Sequence, residues 1–130
     1  MPRILVVDDE EETVELYQIV LSKLGYSNVD FATDGNKAIE RYRNIDKDDF
    51  PEIVLMDYKM PNKDGLQAAK EILEIDPNAV IVFVSEYPEV CDEAVQLGAL
   101  MFSGKPLNKA LMQEMINTAL HARSLRTSSN

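Results

Sequence analysis

Carboxylate side chains directly follow two of the apolar runs in the sequence. Asp8 and Asp9 come after "RILVV", and Asp57 comes after "EIVLM". A lone aspartate at such a position has a structural explanation, because aspartate is common in turns. The alternative is a carboxylate placed for chemistry, where it can bind a metal ion, transfer a proton or attack phosphorus. The remaining sequence has to distinguish the two.

Other apolar runs end beside a hydroxyl group and an ammonium group. Ser85 follows "AVIVFV", Lys105 follows "LMFSG", and a further run, "NVDFA", ends at Thr33 and Asp34. Taken singly, such residues are usually loop hydroxyls, helix caps or solvated charges. Carboxylates, a hydroxyl and a cation at successive strand ends are a stronger observation than any one residue.

Short apolar runs alternate with segments in which apolar residues recur at helical spacing. Five strands are predicted, from "RILVV", "NVDFAT", "EIVLM", "AVIVFV" and "LMFS", and a helix follows each of them. This alternation predicts an α/β domain, with a parallel sheet covered by helices on both faces. Ligands of such sheets bind outside the carboxyl ends of the strands, so we expect the residues at those ends to lie together.

Three ionised carboxylates at one edge of the sheet require a compensating positive charge. At a separation of about 5 Å, each pair would repel by roughly 3 kcal/mol at an effective dielectric near 20. Lys105 is one available cation, and a metal ion is another. Oxygen ligands without His or Cys favour Mg²⁺ or Ca²⁺ over zinc.

These groups are suited to phosphoryl transfer onto an aspartate. Transfer depends mainly on positioning and on neutralising the phosphoryl oxygens. A metal ion beside Asp8 and Asp9 could supply that charge, as could the ammonium group of Lys105 and the hydroxyl of Ser85. Asp57 is the best candidate nucleophile because it stands alone after an apolar strand, whereas the adjacent aspartates are better arranged to hold a metal.

Composition restricts the other classes of function. A chain of 130 residues suits one domain, and the lack of a core-forming pattern near the C-terminus predicts a compact domain over 1–121 and a flexible tail over 122–130. The formal net charge of −10 argues against direct binding to nucleic acid, and the single Cys91 excludes an internal disulfide. No apolar run reaches the roughly 18 residues of a membrane span, and the start lacks a secretory signal, so we expect a cytoplasmic protein without membrane contact.

Four motifs resemble the receiver domain of two-component response regulators. They are "ILVVDDE", "IVLMDYKMPNKDG", "VIVFVSEY" and "GALMFSGKP", in the order and at the spacing of that family. The resemblance covers about residues 3–121 and is similar in extent to the single-domain chemotaxis regulators. It implies a flavodoxin-like, doubly wound (βα)5 fold with strand order 2-1-3-4-5. It also implies a signalling phosphoprotein that assists its own phosphorylation and dephosphorylation without being an enzyme.

The resemblance also implies a role for each site residue. Asp57 would accept the phosphoryl group, and Lys105 would pair with the phosphoryl oxygens. Mg²⁺ would be held by Asp8, Asp9 and Asp57, with the backbone carbonyl of Lys59 as a further ligand.

Signalling would use a hydroxyl and an aromatic ring. By resemblance, Ser85 would move toward the phosphoryl group, and Phe102 would then rotate inward. The Lys105–Pro106 peptide would be cis. The implied partners are a histidine kinase or phosphotransfer protein, and a downstream protein that binds the face formed by the fourth helix, fifth strand and fifth helix.

One residue departs from the family pattern. The position after the switch hydroxyl is usually small, but here it is Glu86, which could repel a phosphate donor. A receiver that binds partners without being phosphorylated is therefore the alternative function. Lys59 and Tyr87, each two residues beyond a reactive group, predict slow self-dephosphorylation because they could shield an aspartyl phosphate from water.

Two other classes of protein suit the sequence less well. The common aspartate-based phosphatases place a general acid two residues after the nucleophile, and Lys59 occupies that position here. A flavin-binding electron carrier of the same fold needs a glycine- and hydroxyl-rich phosphate loop after the first strand, where "DDEEE" would instead repel phosphate. A P-loop motif is also absent from the sequence.

Overall fold

Five strands form one parallel sheet in the order β2-β1-β3-β4-β5 in the computed structural model, which describes residues 2–105 and 108–128. The strands are β1 (Ile4–Val7), β2 (Val29–Ala32), β3 (Ile53–Met56), β4 (Ile81–Ser85) and β5 (Met101–Gly104). The helices are α1 (Glu11–Lys23), α2 (Gly35–Arg43), α3 (Gly65–Ile75), α4 (Cys91–Leu97) and α5 (Lys109–Ser128). The predicted doubly wound, flavodoxin-like α/β fold and its strand order are confirmed.

The central strands are apolar at nearly every position because both faces of the sheet are covered. Successive side chains of a strand point to opposite faces. On one face, Leu5, Val54 and Phe83 belong to a core shared with α2, α3 and α4. On the other, Val6 and Leu55 belong to a core shared with α1 and α5. Each strand is thus fixed from both sides, which places its carboxyl end reproducibly.

Aspartates cap helices α2 and α3. Asp34 accepts a hydrogen bond from the backbone N–H of Lys37 at 2.9 Å, and Asp64 accepts one from Gln67 at 2.9 Å. Such caps satisfy backbone donors that the first helical turn leaves unpaired. They fix where α2 and α3 begin, at the carboxyl edge of the sheet.

Helix α5 continues through part of the segment for which the sequence predicts a flexible tail. Residue 122 and those after it are helical as far as residue 128. Arg123 contacts the buried Asp76 at 2.8 Å, and Arg126 donates to a backbone carbonyl of the same loop. These contacts with a distant loop hold the end of the helix. Among the helices of the described residues, none is long and apolar enough to cross a membrane.

Candidate functional site

Backbone pairing continues one residue beyond β1 and β3 and places Asp8 beside Asp57. The N–H of Asp8 donates to the carbonyl of Ala32 at 3.1 Å, and the N–H of Asp57 donates to that of Val7 at 2.9 Å. Both aspartates are buried, at 2% and 6% exposure. They lie between strands β1 and β3, where the strand order reverses and where ligand sites of such sheets are found.

Asp8, Asp9 and Asp57 form one cluster of carboxylates. A carboxylate oxygen from each lies within 4.8 Å of the other two. Asp9 is exposed, whereas the other two are buried. The structure therefore brings together the three acids that the sequence predicts at this edge of the sheet.

Lys105 reaches the cluster from the end of β5. Its Nζ lies 2.8 Å from Asp8 Oδ2, 3.1 Å from Glu10 Oε1 and 3.4 Å from Asp57 Oδ2. Its backbone N–H donates to the carbonyl of Ser85 at 3.2 Å, which extends the pairing of β4 with β5. One ammonium group thus faces three carboxylates and cannot neutralise all of them.

Burial and mutual repulsion disfavour the charged forms of the two buried acids. Burial, followed by the negative charge of Asp8, raises the pKa of Asp57 to about 6 even though Lys105 opposes the change. Burial also raises the pKa of Asp8. Burial alone would lower the pKa of Lys105, but its hydrogen bond to Asp8 and the charges of Asp57 and Asp8 raise it above the usual range. The site has excess negative charge that a bound cation would offset.

The available ligands suit a hard divalent cation. All three groups of the cluster are carboxylates, and oxygen is the ligand that Mg²⁺ prefers. Mg²⁺ is usually held by one or two protein carboxylates and keeps positions for water and phosphate oxygens. The chemistry of the ligands and the excess negative charge both fit this ion.

An open pocket of about 510 Å³ gives solvent access to Asp57. Its lining comprises Asp9, Glu10, Asp57, Lys59, Met60, Pro61, Glu86, Tyr87 and Lys105. The Lys59 ammonium lies 5.6 Å from the centre of the Tyr87 ring, and the Tyr58 and Tyr87 rings meet edge to face at 5.8 Å. Lys59 and Tyr87 therefore stand together at the wall of the pocket, as does the exposed Glu86.

Ser85 and Phe102 lie on the same face of the sheet, on adjacent strands. The Ser85 hydroxyl is buried and accepts a hydrogen bond from the N–H of Tyr87 at 3.1 Å. Phe102 pairs in register with Phe83 and packs, partly buried, against the core shared with α2, α3 and α4. Because side chains alternate along a strand, Ser85 shares the face of Phe83. The predicted cis peptide before Pro106 lies outside the described residues.

Sequence reasoning missed two residues of the site. A Cβ at Gly65 would lie 2.0 Å from the carbonyl oxygen of Asp57, so only glycine allows α3 to begin against the backbone of Asp57. Its place in the "NKDG" turn was the available signal. Glu10 occupies the N-cap position of α1, but it makes no side-chain cap bond and instead contacts Lys105. That contact joins residues 95 positions apart, so no local pattern indicates it.

Comparisons with known proteins establish the family. The response regulator receiver domain matches residues 4–117, so the chain belongs to this family, as its motifs predict. Receiver domains are signalling domains rather than conventional enzymes. Over 117 residues the chain is 36% identical to chemotaxis protein CheY of Thermotoga maritima, covering 88% of this chain and 94% of that protein.

Solved structures give the same result. In the CheX–CheY–BeF3–Mg²⁺ complex of Borrelia burgdorferi, the matching chain is 28% identical with a TM-score of 0.82, covering 90% of this chain and 87% of that one. The response regulator TrrA of Thermotoga maritima, in complex with Mg²⁺–BeF, is 29% identical with a TM-score of 0.81, covering 92% and 100%. The chain is therefore a CheY-like receiver domain of two-component signalling.

Proposed function

We propose that the protein is a phosphoacceptor response regulator in which Asp57 receives the phosphoryl group. The observation that carries this proposal is the convergence of two further carboxylates and one ammonium group on Asp57, in the lining of an open pocket. The donor is the phosphohistidine of a histidine kinase or phosphotransfer protein. A carboxylate oxygen of Asp57 bonds to phosphorus as the phosphorus–nitrogen bond breaks. The electron pair of the broken bond stays on the histidine nitrogen.

Asp8, Asp9, Asp57 and the backbone carbonyl of Lys59 would hold Mg²⁺ in this proposal. The ion would neutralise charge on the transferred phosphoryl oxygens. The geometry of the carboxylate cluster supports the three aspartates as ligands, and the Borrelia and Thermotoga relatives form complexes that contain Mg²⁺ and beryllium fluoride.

Lys105 is the group that neutralises the negative charge which the phosphoryl group adds to Asp57. It lies 3.4 Å from Asp57 and also contacts Asp8 and Glu10. After transfer, its ammonium group pairs with a phosphoryl oxygen. This exchange of partners stabilises the phosphorylated form without requiring Lys105 to leave its buried position.

Ser85 and Phe102 would convert phosphorylation into a change of binding surface. Ser85 lies at the end of β4 beside the strand that bears Phe102, so movement of the hydroxyl can bias the packing of the ring. The face formed by α4, β5 and α5 would then bind a downstream protein. Phe102→Ala should abolish the dependence of partner binding on phosphorylation while leaving phosphorylation itself intact. Unchanged dependence would refute the role of the ring.

Intact mass spectrometry after incubation with acetyl phosphate tests the phosphoacceptor chemistry. Wild-type protein with Mg²⁺ should gain one phosphoryl adduct, and Asp57→Asn or a chelator should abolish it. An adduct that persists in Asp57→Asn would place the acceptor elsewhere. Loss of the adduct in Asp57→Asn alone, with no effect of the chelator, would remove Mg²⁺ from the proposal.

Glu86 favours one alternative, a receiver that binds partners independently of phosphorylation. Its exposed carboxylate lines the pocket through which a phosphate donor must approach. If wild-type protein forms no adduct but Glu86→Ala does, the carboxylate blocks phosphorylation and the alternative is supported. An equal rate of adduct formation in both proteins would exclude it.

A further inference from the structure

The carboxylate of Asp34 joins the start of α2 to the loop that follows β3. Its Oδ1 caps the helix by accepting from the N–H of Lys37, and its Oδ2 accepts a hydrogen bond from the Asn62 side-chain amide at 3.0 Å. Asp34 is only 6% exposed. Capping uses one oxygen, so the second hydrogen bond, across 28 positions of sequence, has a separate purpose.

Asn62 adopts a backbone conformation that needs support. Its φ of 71° is the only positive value at a non-glycine residue in the described ranges 2–105 and 108–128. This left-handed region costs roughly 1 kcal/mol or more for most residues, and asparagine tolerates it best after glycine. The hydrogen bond to Asp34 therefore stabilises a turn that the backbone alone would not favour.

Two further contacts hold the same loop. A Cβ at Gly35 would lie 2.7 Å from the carbonyl oxygen of Lys63, which shows how closely the start of α2 approaches the loop. The ammonium group of Lys63 forms an ion pair with Glu71 on α3. Residues 58–64 are thus attached to two helices, and the hydrogen bond to the buried Asp34 holds the exposed Asn62.

We propose that Asp34 and Asn62 are positioning residues for the metal site. The loop from β3 to Asn62 includes Lys59. The backbone carbonyl of Lys59 is a proposed Mg²⁺ ligand, so this inference rests on the proposed function. The hydrogen bond ties that loop to a capped helix, and fixing the loop would fix the position of the Lys59 carbonyl relative to the other proposed ligands. Groups that orient metal ligands typically change metal affinity by 10- to 100-fold when removed.

Two substitutions remove the bond while keeping other features. Asn62→Gly removes the amide but retains easy access to positive φ and leaves the charge unchanged. Asp34→Ser keeps a capping oxygen but loses the second one. Asp64→Ser is the matched control, because it makes the same change at the cap of α3, and Asp64 makes no second side-chain hydrogen bond to any described residue.

Calorimetric titration of the whole chain with Mg²⁺ measures the effect. We expect Asn62→Gly and Asp34→Ser to weaken Mg²⁺ binding by about tenfold and Asp64→Ser by about twofold or less. Asn62→Asp should weaken binding as well, because it places two carboxylates together. The double variant Asp34→Asn/Asn62→Asp restores a donor and an acceptor with the original net charge, and it should recover binding to within about threefold of wild type.

The outcomes separate this inference from the proposed function. If wild type binds Mg²⁺ and both bond-removing variants bind it equally well, the positioning role is overturned and the proposed function stands. Equal losses in those variants and in Asp64→Ser would also overturn it, because capping or charge would then explain the effect. If wild type binds no Mg²⁺, or Asp57→Asn binds it as tightly, this inference and the Mg²⁺ part of the proposed function both fail. Intact mass spectrometry decides separately whether Asp57 accepts a phosphoryl group. If Asn62→Gly does not fold, Asp34→Ser and the double variant still decide.

Discussion

Asp57 and Asp76 are equally buried at opposite edges of the sheet, yet their surroundings differ. Both side chains are 7% exposed. At the carboxyl edge, Asp57 shares Lys105 with two other carboxylates and lies 3.4 Å from its ammonium group. At the amino edge, Asp76 has Arg123 at 2.8 Å and accepts a further hydrogen bond from the N–H of Asn78 at 3.1 Å.

The comparison separates a structural carboxylate from a functional one. A buried ion pair that is complete costs much to break, because the remaining charge is left without a partner. A buried carboxylate that is incompletely neutralised is instead unstable until a ligand arrives. Burial alone therefore does not distinguish Asp57 from Asp76, but the number of carboxylates that share each cation does.

The largest expected effect on stability is at the amino edge of the sheet, where Asp76 pairs with Arg123. Arg123→Ala should lower the free energy of unfolding by about 3 kcal/mol, because it leaves Asp76 buried and unpaired. Urea denaturation measures this loss. Arg43→Ala is the matched control, since its pair with Glu71 is 4.0 Å long and largely exposed, and it should cost less than about 1 kcal/mol. Equal effects of the two substitutions would show that Asp76 does not depend on its partner.

A neutralising substitution of Asp57, at the carboxyl edge, should change the free energy of unfolding in the opposite direction. In chelator at pH 7 to 8, Asp57→Asn should raise the free energy of unfolding by up to about 3 kcal/mol, because the folded state raises the pKa of Asp57 from 3.8 to about 6. Below pH 3.8 the acid is protonated in both states, so the gain should vanish as pH falls from above 6 to below 4. Denaturation across this range measures it, and a gain that grows toward low pH would contradict the raised pKa. Asp76→Asn should destabilise instead.

Mg²⁺ should supply the positive charge that the carboxylates at the carboxyl edge lack, so the two edges should then differ less in their charge balance. At ten times its dissociation constant, the ion should stabilise wild-type protein by about 1.4 kcal/mol. The same increment is expected in Arg123→Ala, because the two edges are independent sites. Thermal unfolding with and without chelator provides the measurement. An increment in Asp57→Asn as large as in wild type would place the ion away from the carboxylate cluster.

The smallest expected effect concerns the wall of the pocket. Lys59→Ala and Tyr87→Ala should each shorten the lifetime of the aspartyl phosphate by about two- to threefold, because both side chains can shield it from water. Loss of the phosphoryl adduct with time measures the lifetime. Glu89→Ala, at an exposed position outside that lining, serves as the control, and lifetimes unchanged in the first two variants would remove the shielding hypothesis.

Much of the fold and of the site follows from the sequence because parallel strands collect their carboxyl ends at one edge. The positions of Asp8, Asp57, Ser85 and Lys105 could be predicted from where the apolar runs end. Periodicity alone predicts a parallel sheet but leaves the strand order open, and the order came from the family resemblance.

Contacts between distant side chains could not be predicted in this way. The pairs Glu10–Lys105, Asp34–Asn62 and Asp76–Arg123 are separated by 95, 28 and 47 positions. Each depends on where two helices or loops meet, and no local pattern records that. The length of α5 could not be predicted for the same reason, since its last turns are held by the distant loop that contains Asp76 and Ala79.

The contact between Glu10 and Lys105 has a consequence for synthesis of the protein. Glu10 follows the first strand and Lys105 follows the last one, so the pocket is complete only when all the strands from β1 to β5 have joined the sheet. A growing chain emerges from the ribosome N-terminal end first, and its Asp57 is translated long before Lys105. A partly made molecule thus has Asp57 but lacks Lys105, and its carboxylate cluster has no lysine partner from β5 until the last strand has joined the sheet.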